Sequence, residues 1–299
     1  MQQNSSKRLK SNEHISAGEL TIRVDELDGS NKQEVVQFLS QRPIHTVHMI
    51  EFINDNGLVS PLNDSTFYGC RNRERQLEGV ALIGDSTLLE TTTDRATQAL
   101  AEVAKTCATA HVITGEKERI NNFWDYYADA GQGMRHAHRE LLFELKWPIQ
   151  ALPEVSDLRL ATPDDLELVA TTQSQIASNE AYPNPLRRET EDVRQRCARF
   201  IEQRRTWVAV QDNVIIFKAD VTFDTSSVIY LDRVCTNSDR RPQSYALRCM
   251  SQLARTLLRR TDSVCVLVNE NDKKAHKFYR LSGYKLRSIY ETIFLTNQP

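Results

Sequence analysis

"SVCVLVNENDKKAHKFYRLSGYKL", Ser263–Leu286, passes from an unbroken apolar run to helical spacing and stops at a glycine. The run Val264–Val268 is short and rich in β-branched residues, which predicts a buried strand. Asn271 is then expected to open a helix in which Asn271, Ala275 and Tyr279, four residues apart, share one face. Gly283 is expected to end that helix in the left-handed conformation that costs a residue without Cβ little. From Tyr284 the pattern becomes a strand again, "YKLRSIYETIFL".

Working upstream, the same alternation of strand and helix recurs. Thr162 is a predicted N-cap with Pro163 at the first helical position, and Leu166, Val169, Ala170 and Ile176 form one apolar face. Thr190–Gln203 reads as a helix with Val193, Cys197, Phe200 and Ile201 inward. "TWVAVQDNVIIFKADVTF" reads as a hairpin turning at Asp212 and Asn213. "SVIYLDRVCT" is a strand, and Gln243–Arg259 is an amphipathic helix through Ala246, Met250, Leu253, Ala254 and Leu257.

The front half gives the same order in weaker form. It comprises a strand in "TIRVDEL", two helices over Asn31–Leu58 interrupted at Pro43, and two or three strands up to Thr91. A helix over Asp94–Ala110, the strand "AHVIT", a helix over Glu116–Asp129 and the strand "HRELLFEL" complete it. The implied fold class is α+β, a mixed sheet flanked by helices, built twice. We expect a polar lead over residues 1–19, a first domain over 20–147, a linker over 148–156 and a second domain over 157–299.

Composition bounds the function. With 38 basic against 40 acidic residues in 299, the net charge of -2 supplies no field for a polyanion, so nucleic acid is excluded as a default partner. No apolar run is long enough for a membrane span. The six cysteines form no CxxC pair, and the lead has no apolar core of a secretory signal, so reduced thiols in a cytoplasm are expected. His136 and His138 share a strand face without a third ligand in view, and no metal site is assigned. Oligomeric state is written in no pattern, and a homodimer stays open.

The joint after "VCT" carries the chemistry. A strand end, a loop with Arg240 and Arg241, and a helix start offer free backbone N–H groups and a positive dipole end, which suit phosphate. "VCTNSDRRPQSYA", followed by N-x-x-x-A-x-x-x-Y-x-x-x-G-Y, resembles the GNAT superfamily of acyl-CoA dependent N-acetyltransferases over Asp157–Leu295. "RRTWVAVQDNVIIFKADV" together with "VCTNSDRR" resembles two-lobed bacterial members, in which a degenerate GNAT-like lobe precedes a complete one. The resemblance implies tandem GNAT-like folds and acetyl-CoA as cofactor. The pyrophosphate loop would be Arg241-x-x-Ser244-x-Ala246, where Ser244 replaces the usual glycine and Pro242 removes one N–H.

By the same resemblance the cofactor is expected against Val234, Cys235, Thr236, Arg241, Pro242, Gln243, Ser244, Tyr245, Ala246, Asn271, Ala275 and Tyr279. Backbone groups of Val234 and Thr236 would pair with the pantetheine amides, and the Tyr279 hydroxyl would serve the leaving sulfur as acid. The acceptor would be a small-molecule or peptide amine bound between the lobes. A base for it is first sought in Asp232, placed by strand alternation on the face of Val234, and second in Glu180. Cys235 has no histidine near it in sequence, so a covalent acyl-enzyme is not expected. The front lobe has no phosphate loop before its Asp94 helix and is assigned no cofactor. A CoA-binding sensor or scaffold without turnover is the alternative reading.

Overall fold

A computed structural model describes residues 22–59, 65–179, 192–237 and 243–296. In chain order the front half holds β1 (Arg23–Glu26), α1 (Lys32–Leu39), α2 (Pro43–Asn56), β2 (Thr66–Arg71), β3 (Leu77–Ile83), β4 (Ser86–Thr91), α3 (Asp94–Lys105), β5 (Val112–Glu116), α4 (Lys117–Tyr127) and β6 (Met134–Leu145). The back half holds β7 (Leu158–Leu160), α5 (Leu166–Asn179), α6 (Val193–Glu202), β8 (Thr206–Gln211), β9 (Val214–Asp224), β10 (Ile229–Thr236), α7 (Gln243–Leu257), β11 (Val264–Asn269), α8 (Lys273–Leu281) and β12 (Lys285–Leu295).

Local chemistry explains most boundaries. Pro43 stands in the first turn of α2, where its missing N–H costs nothing. The backbone N–H of Thr162 donates to the Asp165 carboxylate at 2.7 Å, fixing the turn that leads into α5. Asp212 and Asn213 both have positive φ, 49° and 59°, as a tight turn between twisted strands requires. Three expected ends move. The Asp94 helix stops at Lys105 rather than Ala110, and the strand expected from His138 begins at Met134 because it pairs with β12 along its whole length. Asn271 does not open α8: Asp272 is the N-cap, its carboxylate accepting from the Ala275 N–H at 2.9 Å. The expected helix start at Thr190 and the lead over 1–19 lie outside the described residues.

All the strands join one sheet in the order β1-β2-β3-β4-β5-β12-β6-β11-β10-β9-β8-β7. The last strands of the two halves are exchanged. β12 lies antiparallel between β5 and β6, from Lys285 opposite Glu144 to Leu295 opposite Met134. β6 in turn pairs with β11, from Val264 opposite Leu145 to Asn269 opposite Glu140. Each half therefore fills the other's core. Ile293 and Leu295 pack with α3 and α4 of the front, whereas Phe143 and Leu145 pack with α7 and Tyr279 of the back.

Helices cover both faces of the sheet. In the back half α7 and α8 bury Tyr245, Met250, Leu253, Leu257 and Tyr279 in one core with Ile229, Leu231 and Val266 on one face. On the other, α5 and α6 bury Val169, Cys197 and Ile201 against Val208 and Ile215. Helix α2 reaches across the halves, placing Val47 against Leu142, Tyr230 and Cys265. None of the helices among the described residues is long and apolar enough to cross a membrane.

Candidate active site

β10 and β11 run parallel and pair only at Ile229/Val264, Tyr230/Cys265 and Leu231/Val266. Both strands continue beyond that point but part company. Over Val234–Thr236 the edge of β10 toward β11 has no strand partner among the described residues, while the other edge stays on β9. Backbone donors and acceptors left open in this way demand a partner, and an extended amide-bearing arm laid in the gap would supply one.

A bulge shapes the gap. The register with β9 slips between Asp232 and Cys235, where Arg233 takes φ 48°. For a non-glycine residue that conformation costs about 1–2 kcal/mol, and the surroundings compensate. The Arg233 N–H donates to Asp232 Oδ1 at 2.7 Å, its guanidinium lies 3.8 Å from Asp220, and it sits over the Phe200 ring at 5.9 Å. Behind the bulge the fully buried Lys218 donates to Asp220 at 2.5 Å and to Gln173 at 3.3 Å, and Thr206 donates to Asp220 at 2.9 Å. The bulge also breaks the strict alternation expected of Asp232 and Val234. Val234 packs against the core under α7, the face of Ile229 and Leu231, and the register slip between Asp232 and Cys235 means that simple alternation no longer fixes the face of Asp232 relative to it.

Tyr279 is brought to the gap by α8. Past the helix, Tyr284 N–H bonds to Tyr279 C=O at 3.0 Å and Gly283 N–H to Arg280 C=O at 3.1 Å, with Gly283 at φ 89°, the paired bonds of a Schellman stop. The Tyr279 ring is only 5% exposed and is held edge-on by Phe278 and Tyr284 and at 6.1 Å by Phe143 from the exchanged β6. Among the described residues no hydrogen bond engages its hydroxyl. Burial first, then the carboxylate of Asp232, push this phenol far above its ordinary range, so it holds its proton at any pH near neutral. Burial likewise pushes the Cys235 thiol up to about 11, which makes it a poor nucleophile.

The remaining expected positions separate into groups. Asp232, Val234, Cys235 and Tyr279 come together at the gap, and Thr236 is exposed at the strand end. Ala275, half-buried beside Tyr279, keeps that face of α8 small, and Asn271 is exposed one residue before the cap. Ser244 is exposed and Ala246 buried in the first turn of α7, which begins at Gln243. Tyr245 points into the core, its hydroxyl 3.3 Å from Asp157 and 3.4 Å from Gln211. Arg241, Pro242 and Glu180 lie outside the described residues. Sequence reasoning missed Lys218, Asp220, Arg233 and Phe143. The first two carried a signal, since a lysine and an aspartate two apart within "VIIFKADV" share one strand face amid apolar neighbours.

The front half repeats the splay and closes it. β4 and β5 pair only at Ser86/Val112 and Thr87/Ile113 before diverging. Into the opening project Glu90 and Glu116, with Arg42 bonding Glu90 at 3.0 and 3.1 Å and Glu116 at 2.6 Å, and Arg119 reaching Glu90 at 3.0 Å. Arg119 also donates to the Thr91 carbonyl, occupying a strand-edge acceptor that the back half leaves open. Ser288 of β12 donates to Glu116 at 2.8 Å. Burial works to raise Glu116, but its bonds to Arg42 and Ser288 outweigh that and hold it below the usual carboxylate range. Only Thr92 and Thr93 join β4 to α3, and Asp94 sits in the first turn, so the helix start repels phosphate; six residues, 237–242, join β10 to α7.

No family model and no curated protein sequence matches the chain. Solved structures do. A GNAT-family acetyltransferase from Colwellia psychrerythraea superposes with a TM-score of 0.61 at 12% identity, covering 92% of this chain and all of that one. A GCN5-related N-acetyltransferase from Sphaerobacter thermophilus gives 0.59 at 12% identity over 93% and 96% of the two chains. A tandem GNAT protein from the clavulanic acid biosynthesis pathway gives 0.56 at 11% identity over 93% and 99%. At these identities the likeness establishes the fold: the chain is α+β and shares the fold of these acetyltransferase structures over more than nine-tenths of its length.

Proposed function

We propose that this protein is an acetyl-CoA dependent N-acetyltransferase that moves an acetyl group to a primary amine by direct attack. The observation that carries the reading is the splay beyond Leu231/Val266, with an open β10 edge over Val234–Thr236, a bulge at Arg233 and the Tyr279 phenol within electrostatic reach of Asp232. The fold and the plugged front splay support placing the cofactor in the back half alone. The residues present fit it: the open backbone of Val234–Thr236 accommodates the pantetheine arm, Ala275 leaves room beside it, and the N-terminal turn of α7 would face the pyrophosphate, to which the sequence resemblance also assigns Arg241. Bound acetyl-CoA supplies a thioester, so that a C–S bond breaks as an N–C bond forms and one of the two protons given up by the ammonium ends on sulfur.

The protein's part is positioning and proton traffic. Open N–H groups of β10 orient the carbonyl. The Tyr279 hydroxyl, protonated throughout the working pH range, donates a hydrogen bond where negative charge develops on sulfur. Asp232 accepts a proton from the amine, with Glu180 as the second candidate; an alkylammonium has a reference pKa of about 10.4 and must be deprotonated to attack. Lys218 and Asp220 act at a distance, by fixing the bulge. The test is release of free thiol from acetyl-CoA across an amine panel. Amine-dependent release, lost in Tyr279→Phe, upholds the assignment. A CoA-induced thermal shift with no turnover of any amine replaces it with the sensor reading.

A further inference from the structure

Where β6 ends and β11 and β12 begin, three large apolar side chains stand in solvent: Trp147 and Leu286, each 49% exposed, and Leu281, 56% exposed. Strand pairing brings them to one end of the sheet. Leu286 lies opposite Phe143 and Lys285 opposite Glu144, and Trp147 follows three residues after Glu144. Leu281 closes α8 two residues before Gly283, where an added Cβ would stand 3.4 Å from Leu145 Cδ1. The indole N–H of Trp147 donates to the Leu258 carbonyl at 3.0 Å, just past the end of α7, which holds the ring at this end. Exposed apolar groups gathered in this way mark an interaction surface.

Cations surround them. Lys277 and Arg280 lie within one turn of Leu281 on α8, and Lys285 and Arg287 flank Leu286 on β12; all four are exposed. Lys146 and Arg287 are offset by the Glu144 carboxylate they share, at 3.2 and 3.9 Å, and Arg287 also acts on the front plug at His45. Arg260 is paired with Asp224, the exposed Arg259 is balanced by the exposed Asp262, and at the far end of α8 Lys273 and Lys274 are balanced by Glu270 and Asp272. Lys277, Arg280 and Lys285 remain, with no carboxylate within ion-pair distance among the described residues. The chain as a whole has a net charge of -2, so these three positive charges make this end opposite in sign to the rest. An anionic surface attracts this end and repels the others, and so selects an orientation as well as a contact.

Charge alone suits any polyanion, and the apolar side chains choose among them. A nucleic acid offers phosphates to the cations and a base to Trp147, but nothing to two leucines. An anionic lipid surface serves both groups at once, with headgroup phosphates for the cations and the acyl boundary just beneath for a tryptophan and leucines. We propose that this end of the molecule docks reversibly on an anionic lipid surface, with Trp147, Leu281 and Leu286 entering the headgroup layer and Lys277, Arg280 and Lys285 meeting the phosphates. β11 begins in this patch and its far end flanks the gap beside β10, so the docked molecule keeps the gap turned toward water. Docking does not depend on acyl transfer.

The full chain is sedimented with unilamellar vesicles of phosphatidylcholine alone and of equal parts phosphatidylcholine and phosphatidylglycerol. It is expected to pellet with the anionic vesicles only, less so as sodium chloride is raised, and its tryptophan emission should shift to the blue on binding, a shift that Trp147→Phe removes. Lys277→Glu with Lys285→Glu, and separately Leu281→Ser with Leu286→Ser, should each weaken vesicle binding at least tenfold while keeping the wild-type melting temperature, since all four side chains are exposed. Equal binding to both vesicle types, binding to neither, or wild-type binding by either folded double variant overturns the proposal. A short DNA duplex that binds as tightly as the anionic vesicles, with no loss in the leucine variant, replaces the lipid surface with a nucleic acid. Self-association lost in the leucine variant, with no vesicle binding by the wild type, replaces it with a second copy of the chain.

Discussion

Ile293, three residues before the last described residue, should govern the stability of a core built mainly from residues 70–127. It is 2% exposed and packs with Ile113, Ile120, Phe123 and Tyr127. Ile293→Ala removes three carbon groups worth about 0.8 kcal/mol each in transfer. The cavity term brings the expected loss to about 3–4 kcal/mol. With a urea slope of about 3 kcal/mol/M, the midpoint falls by about 1 M. Trp124 packs against the front core and Trp207 against the back one, so in a Trp147→Phe background two single-tryptophan forms report each half separately. Because β12 cannot leave the front without also leaving β6, and β6 carries Phe143 and Leu145 into the back core, both reporters should show one transition and move together. An unmoved Trp124 midpoint would refute the placement of Ile293; separated midpoints for the two reporters would refute the coupling.

Tyr279→Phe should lower kcat by about 10²-fold or more, and, with no hydrogen bond to lose among the described residues, should leave the melting temperature within a degree or two. Because the phenol's pKa is raised, wild-type activity should show no alkaline decline from this group below about pH 10; a decline abolished by Tyr279→Phe would contradict that. Arg159 holds the Asp165 carboxyl down at about 2, so this group's stabilisation is complete above an unfolded value of about 4 and is lost as pH falls toward 2. Asp165→Asn should therefore flatten the acid limb of a melting-temperature profile between those values, and an unchanged limb counts against it. Gly283→Ala, at φ 89° with Leu145 Cδ1 3.4 Å from the added carbon, should cost about 1–2 kcal/mol in denaturant melts; a neutral result would mean the helix stop relaxes.

Much of the site was legible because its signals are local. The α8 stripe ending at Gly283, the Asp212–Asn213 turn and the strand leading to "VCT" each depend on neighbours within a few residues. The Arg233 bulge was not legible, since it arises from Lys218 and Asp220 on another strand and from Phe200 on a helix. The cap position was missed by one residue because Asn271 and Asp272 have similar propensities, and only the bond to the Ala275 N–H chooses between them. The front half's plug was hidden for the same reason as the bulge: Arg42, Glu90, Glu116 and Arg119 are scattered over 78 positions and meet only when the splay brings them together.

The sequence by itself determined the succession of strands and helices, the tandem repetition and the stretch that bears Tyr279, because periodicity, caps and turn chemistry act over distances of a few residues. Only the tertiary structure decided that the two terminal strands trade places, that one splay is open while the other is filled with ion pairs, and that the Asp232 carboxylate falls within electrostatic reach of the Tyr279 phenol. Those outcomes depend on which long-range pairings bury the most apolar surface while leaving the fewest charges unpaired, a choice that no local pattern records.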